Sequence, residues 1–119
     1  MMMAMMMAIH SEAQTNKVYD KVEVMPEYPG GMEALLEYMK NNVKYPEKAK
    51  EQKIEGRVVV GFIVEKDGSI SEVHPLKAVH PLLDQEAMRL VNNMPKWKPG
   101  KVKGKPVRVS FALPVIFKM

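Results

Sequence analysis

The sequence contains no cysteine. Disulfide frameworks, thiolate metal sites and cysteine nucleophiles are therefore excluded, while the redox compartment stays open. The three histidines, His10, His74 and His80, are separated by prolines and long gaps, so no pair has the close helical spacing of a metal site. There is no G-x-S-x-G elbow and no paired-carboxylate motif in a glycine-framed loop. The nearest approach to a catalytic grouping, Ser69, Ser71, Glu72 and His74, reads as a solvated hairpin face. No catalytic residue, no metal and no cofactor are expected. The longest apolar run, residues 1–9, cannot cross a hydrocarbon core, which needs about 20 helical residues.

What is present suits one soluble globular domain. A chain of 119 residues with 46% hydrophobic and 27% charged residues has ordinary composition, and at this size folding buries roughly 60–70% of the surface the unfolded chain exposes. The net charge of +4 comes mainly from one segment holding Lys96, Lys98, Lys101, Lys103 and Lys105. Clustered lysines attract polyanions at low salt. Nucleic-acid recognition would add aromatic platforms or a groove-entering helix, and Trp97 is the only aromatic here, expected in the core. A solvated loop and no nucleic acid are the expectation. An anionic-polymer binder would reveal itself by salt-sensitive binding.

Three stretches divide the chain. Residues 1–14 join an apolar run to small and polar residues and resemble a signal-peptide remnant without its basic start. Residues 15–30 are polar and broken by Pro26, Pro29 and Gly30, which reads as a flexible linker. Residues 31–119 carry the periodic signals of a domain.

Within that domain Met32, Leu35, Leu36 and Met39 fall at helical spacing, predicting a helix over about residues 31–41 that stops at Asn41 and Asn42. Pro46 opens a short, charged and solvent-facing helical piece. Val58, Val60, Phe62 and Val64, with Val59 and Ile63 apolar on the other face, predict a central strand. Gly56 and Gly61 mark close backbone approach or bulging. The turn at Asp67-Gly68 returns an antiparallel partner from Ile70. Leu83, Ala87, Leu90, Val91 and Met94 predict an amphipathic helix with Asp84, Gln85, Glu86 and Arg89 outward. Beyond a basic loop over residues 95–106, Val107, Val109, Phe111, Leu113, Val115 and Phe117 alternate with other residues in a half-buried strand, and Pro114 places that strand at a sheet edge. The fold class is α+β: a small three-stranded antiparallel sheet with two helices packed on one face.

Tyr45-Pro46, Ile54-Glu55-Gly56, Asp67-Gly68, Met94-Pro95, Trp97-Lys98-Pro99-Gly100 and the closing strand occur in an order and spacing that resemble the C-terminal domain of TonB proteins, over about residues 28–118. The PEYPGG opening and LPVIF ending are similar to the variant common in Bacteroidetes. The resemblance implies a non-enzymatic periplasmic module of the Gram-negative envelope, serving energy-coupled transport. Its implied partner is the extended box peptide of an outer-membrane TonB-dependent receptor, added as a strand beside the last strand of the domain. Carried onto this chain, the implied peptide-binding residues are Val107, Arg108, Val109, Ser110, Phe111, Ala112 and Leu113, with Asn41, Asn42 and Val43 from the segment before Tyr45-Pro46. Asn42 stands where well-known members carry glutamine. Full TonB proteins also have a membrane-anchoring helix and a Pro-rich spacer, neither of which is read in this sequence, so the expectation is either a cut-out domain or a freestanding relative that binds without pulling, the freestanding secreted module being favoured. A structural role, with self-association to a homodimer through the same edge strand, is the alternative. Arg108 and Pro114 could then serve only to protect an exposed edge.

Overall fold

The computed structural model describes residues 16–119; the expected signal-peptide remnant lies outside them. The element order is β1 (Val18–Tyr19), α1 (Gly31–Asn42), α2 (Glu47–Glu51), β2 (Gly56–Val64), β3 (Ile70–Lys77), α3 (Pro81–Asn92), β4 (Gly100–Val102) and β5 (Lys105–Phe117). The strands are ordered β1-β5-β2-β3, with β4 folded back on β5.

The period-two pattern of β2 and β5 builds the centre of this sheet. The two strands pair antiparallel from Gly56 opposite Phe117 to Val64 opposite Val109. Successive side chains alternate faces, so Val58, Val60, Phe62 and Val64 share one face with Leu113, Val115 and Phe117, and all are buried in one cluster. Leu83, Ala87, Leu90 and Val91 of α3, Leu35 of α1 and Ala49 of α2 complete it. At roughly 25 cal/mol per Å² of apolar surface, this shared core is the main force holding helices to sheet. His80 starts α3 by accepting the Leu82 amide on Nδ1 at 3.1 Å, and Pro81 follows with its φ already helical.

The class is α+β as expected, and β2 is central as expected. The sheet is larger than the three strands anticipated. β4 and β5 form a hairpin inside the lysine-rich segment, turning through Lys103 and Gly104, both at positive φ. β1 comes from the stretch read as a linker. It pairs parallel with β5, Val18 opposite Arg108 and Tyr19 opposite Val109. Further along, Val24 bridges to Lys101 and Glu27 to Lys98, and Tyr28 is buried against Tyr38 and Trp97. Two-residue pairings across some 90 positions leave no local periodicity to read.

Three smaller expectations also need correction. α2 is a third helix, and it inserts Ala49 fully into the core rather than facing solvent throughout. Met32 and Leu36, though at helical spacing, are 63% and 60% exposed, so α1 buries a narrower stripe than its apolar pattern suggests. Glu86, expected outward, is buried. Trp97 is buried as expected, among Tyr28, Phe62 and Phe111.

Candidate functional site

β5 is the longest strand, and its two sides are treated differently. One side is paired with β2 over nine positions. The other is paired only at Arg108 and Val109, by β1; from Phe111 to Phe117 no strand covers it among the described residues. Pro114 lies in this open stretch and is exposed. Proline is tolerated in a strand where its missing N–H would face the unpaired side. Ala112 and Ser110 stand two and four positions earlier and share that orientation, so their amides face the same way.

The open stretch has a neighbour. Val43, at the end of α1, lines a cavity of about 130 Å³ together with Met39, Lys40, Leu90 and the β5 residues Val115 and Ile116. Of the site residues expected from the sequence only Val43 lines this cavity; the β5 residues it meets, Val115 and Ile116, lie beyond the expected stretch Val107 to Leu113. Asn41 and Asn42 are exposed at the helix end, where the Asn42 side-chain amide donates to the Tyr38 carbonyl at 2.8 Å. The short reach of Asn42 is thus spent on its own helix.

The N-terminal half of the expected stretch carries other contacts. Val107 pairs with Gly100 of β4. Arg108 is more than edge protection: its Nε donates to Glu65 at 2.8 Å, its Nη2 reaches Glu65 and Glu72 at 3.2 and 3.4 Å, and its Nη1 donates to the Asn16 carbonyl at 2.9 Å. Arg108's hydrogen bonds hold the Glu65 carboxyl below the usual carboxylate range against the opposing push of partial burial, and the Ser71 hydroxyl donates to the same group. Ser110 Oγ has one proton, which it donates to Asp20 at 2.9 Å, with the Tyr19 carbonyl a longer alternative acceptor at 3.4 Å.

Val109, Phe111 and Leu113 point to the core side, while Arg108, Ser110 and Ala112 point to the opposite face of the sheet. On that opposite face lies a groove of about 320 Å³ whose walls include Val18, Gly61, Ile63, Leu76, Ser110 and Ala112, with Glu72 and His74 at its rim. Gly61 keeps it open, since a Cβ there would stand 2.8 Å from Leu76 Cγ. The lone sequence signal for this groove was the glycine inside an otherwise β-branched strand. β1 had none.

The hold of β1 on this edge is slight. A net hydrogen bond contributes about 0.5–1.5 kcal/mol, and ordering each residue of backbone costs about 1–2 kcal/mol, so two paired positions come close to balance. Residues 16–18 and 20 are exposed, and the first firm anchors of the segment are the buried Pro26 and Tyr28.

Elsewhere the surface offers less. The depression of about 600 Å³ on the outer side of α1, lined by Gly30, Glu33, Leu36, Glu37 and Lys40, gathers no convergent set of donors. Among the described residues no group of His, Cys, Asp or Glu is placed to hold a metal ion, and no helix is long and apolar enough to cross a membrane. His74 Nδ1 lies 2.6 Å from the Glu72 carbonyl, a local hairpin contact.

Comparison with known proteins bears on the fold and the family. The family model described as Gram-negative bacterial TonB protein C-terminal matches residues 41–119. A solution structure of the Helicobacter pylori TonB C-terminal domain (its residues 179–285) is similar at a TM-score of 0.55 and 21% identity, covering 71% of this chain and 77% of that one. A shorter version of the same domain gives 0.53 and 21%, covering 72% and 90%. The Pseudomonas aeruginosa TonB C-terminal domain gives 0.48 and 29%, covering 64% and 77%. The two Helicobacter likenesses concern the fold. No curated protein matches the chain.

Proposed function

The chain belongs to the family of Gram-negative bacterial TonB C-terminal domains, a family of TonB-dependent transport, and from that membership we propose that it is a periplasmic module that binds the extended box peptide of an outer-membrane receptor by strand addition. It works by binding, without turnover and without a cofactor. The observation that carries this reading is the open side of β5 from Phe111 to Phe117, next to the cavity under Val43. An exposed strand edge presents a row of main-chain donors and acceptors, which is what an incoming extended peptide pairs with. Asn41 and Asn42 sit on the same turn as Val43 and would border the peptide, and Val107 to Val109 would extend the edge towards β4.

The test is an NMR titration of the labelled chain with box peptides from receptors of its source organism. Shifts concentrated along β5 and at Val43 are the expected result. The variant Ala112→Pro removes an amide facing the open side and should weaken binding by about tenfold or more, equivalent to at least ~1.4 kcal/mol, with the thermal midpoint little changed. Shifts confined to other surfaces, or an affinity untouched by the proline, would refute strand addition. The same open edge favours a second reading, pairing of two copies through β5. A mass in solution that rises with protein concentration, and falls back in Ala112→Pro, would support it.

A further inference from the structure

The stretch of β5 next to the open edge is already occupied by the chain's own residues 16–20, of which Val18 and Tyr19 pair as a strand and Asn16 and Asp20 are tied down on either side. The paired residues run parallel to β5 in fixed register. Val18 lines the groove, and Asp20, in the bend just after β1, turns its carboxylate to Ser110 on the same side. Val18 forms one wall of the groove whose floor and far side include Gly61, Ile63, Ala112 and Leu76; Asp20 accepts from Ser110, and Arg108, itself held by Glu65, grips the backbone at Asn16. The seat is incompletely filled, since Val18 remains 38% exposed and Leu76 58%.

We infer that this groove is a side-chain pocket for the incoming strand, which displaces residues 16–20 and presents an aliphatic residue to Ile63, Leu76 and Ala112 and, two positions later, an acidic one to Ser110. The inference rests on the reading of β5 as a docking edge and deepens it by naming the ligand's side-chain chemistry. It also makes the chain's own strap a competitor: the apparent affinity of any peptide for this site is reduced by the fraction of molecules whose strap is seated. The selectivity has two physical sources. A carboxylate placed against Ile63 and Leu76 would lose water beside the like-charged Glu72 at the groove's rim, and Ser110 Oγ, beyond it, is positioned as a donor, which favours an anion there.

The experiment uses the full chain and the strap sequence itself as probe, a synthetic peptide of residues 16–22. Val18→Asp should release the strap, so the probe should bind that variant about tenfold more tightly than it binds the wild-type chain, with amide shifts at Gly61, Ile63, Leu76, Ser110 and Ala112. Val18→Gly, which adds no charge, should act in the same direction. The emission of the buried Trp97 reports that both variants remain folded. A probe with Asp in place of Val18 should fail to bind, and one with Lys in place of Asp20 should bind more weakly than the parent. Equal affinity for wild-type and variant chains, no binding to either, or a probe indifferent to Val18→Asp would overturn the inference. Because the probe is not a receptor peptide, a negative result here is separate from a failure of receptor peptides to bind.

Discussion

The backbone amide of Lys44 donates a hydrogen bond of 2.7 Å to Glu86 Oε2, joining the segment after α1 to the buried side of α3. Arg89 completes the arrangement, donating from Nε and Nη2 to the two Glu86 oxygens at 2.7 and 2.8 Å and from Nη2 to the Asn42 carbonyl at 3.0 Å. The turn that borders the open half of β5 is therefore positioned by one buried carboxylate. Glu86→Ala would orphan the Lys44 amide and leave Arg89 without its partner. Its expected cost is about 2–3 kcal/mol, measured as a lower urea midpoint with unchanged m-value. Glu86→Gln keeps one acceptor and should cost less. A neutral Glu86→Ala would mean that the link contributes nothing to stability.

The same carboxylate makes stability sensitive to acid. Burial alone would raise the Glu86 pKa, but the hydrogen bonds from Arg89 and from the Lys44 amide outweigh it, and the net shift is downward. Glu65 is lowered as well, first by Arg108. A carboxyl whose folded pKa lies below its unfolded value stabilises fully above the unfolded value, about 4.3, and loses that stabilisation as pH falls through the folded value. Unfolding free energy attributable to these groups should be level between about pH 7 and 5.5 and fall below about pH 4.5. In the double variant Glu65→Gln, Glu86→Gln the acid slope should be shallower. An unchanged slope would assign acid sensitivity to other groups.

Trp97 carries a cost inside the core. Its ring meets Phe62, Tyr28 and Phe111 edge-on, at centroid distances of 5.6, 5.8 and 5.3 Å, while its buried indole N–H has no hydrogen-bond partner among the described residues. Trp97→Phe loses apolar contact but also removes the unpaired donor, so its expected cost is about 1–2 kcal/mol. Trp97→Ala keeps neither ring nor packing and should cost about 3–5 kcal/mol. Thermal unfolding of the two variants checks the gap between them. Both variants remove the indole N–H, so equal costs would mean that the packing of the phenylalanine ring recovers nothing, while a Trp97→Phe cost as large as that expected for Trp97→Ala would mean that the unpaired donor carried no penalty.

How much of this could be read from the sequence depended on whether the signal was local. The alternation in β5, the β-branched run of β2 and the three- and four-residue steps of α3 report core faces directly, and the structure buries Val58, Val60, Phe62, Leu90 and Val115 as their spacing implies. Glu86 was misplaced because periodicity classes glutamate as outward and cannot see a backbone amide 42 positions away. β1 was missed because two paired residues make no period. Pro114 already marked β5 as a strand with an open side, whereas the docking role proposed for that edge was legible only through the family resemblance. What composition and spacing could not convey is that part of that edge is covered by residues 16–20 while Val43 stands beside the remainder.

The hairpin between β2 and β3 turns on Gly68, which has φ +89°, a region that side-chain-bearing residues rarely adopt. Its surroundings tighten the constraint. The Gly68 amide donates to the Glu65 carbonyl at 2.8 Å, and its own carbonyl accepts the Trp97 amide at 2.8 Å, so the backbone of the segment after α3 lies directly against the turn. A Cβ added at Gly68 would fall 2.0 Å from the Trp97 carbonyl oxygen, which is backbone and has no rotamer with which to retreat. Gly68→Ala therefore meets a strained φ and a clash together, and should destabilise by about 3 kcal/mol or more. Asn, which tolerates positive φ better than Ala in open turns, should give no rescue here, because the collision belongs to its Cβ as well. Chemical denaturation of Gly68→Ala and Gly68→Asn decides the matter. Similar large losses in both point to the Trp97 contact, whereas a clearly milder Asn would leave backbone strain alone as the reason for glycine.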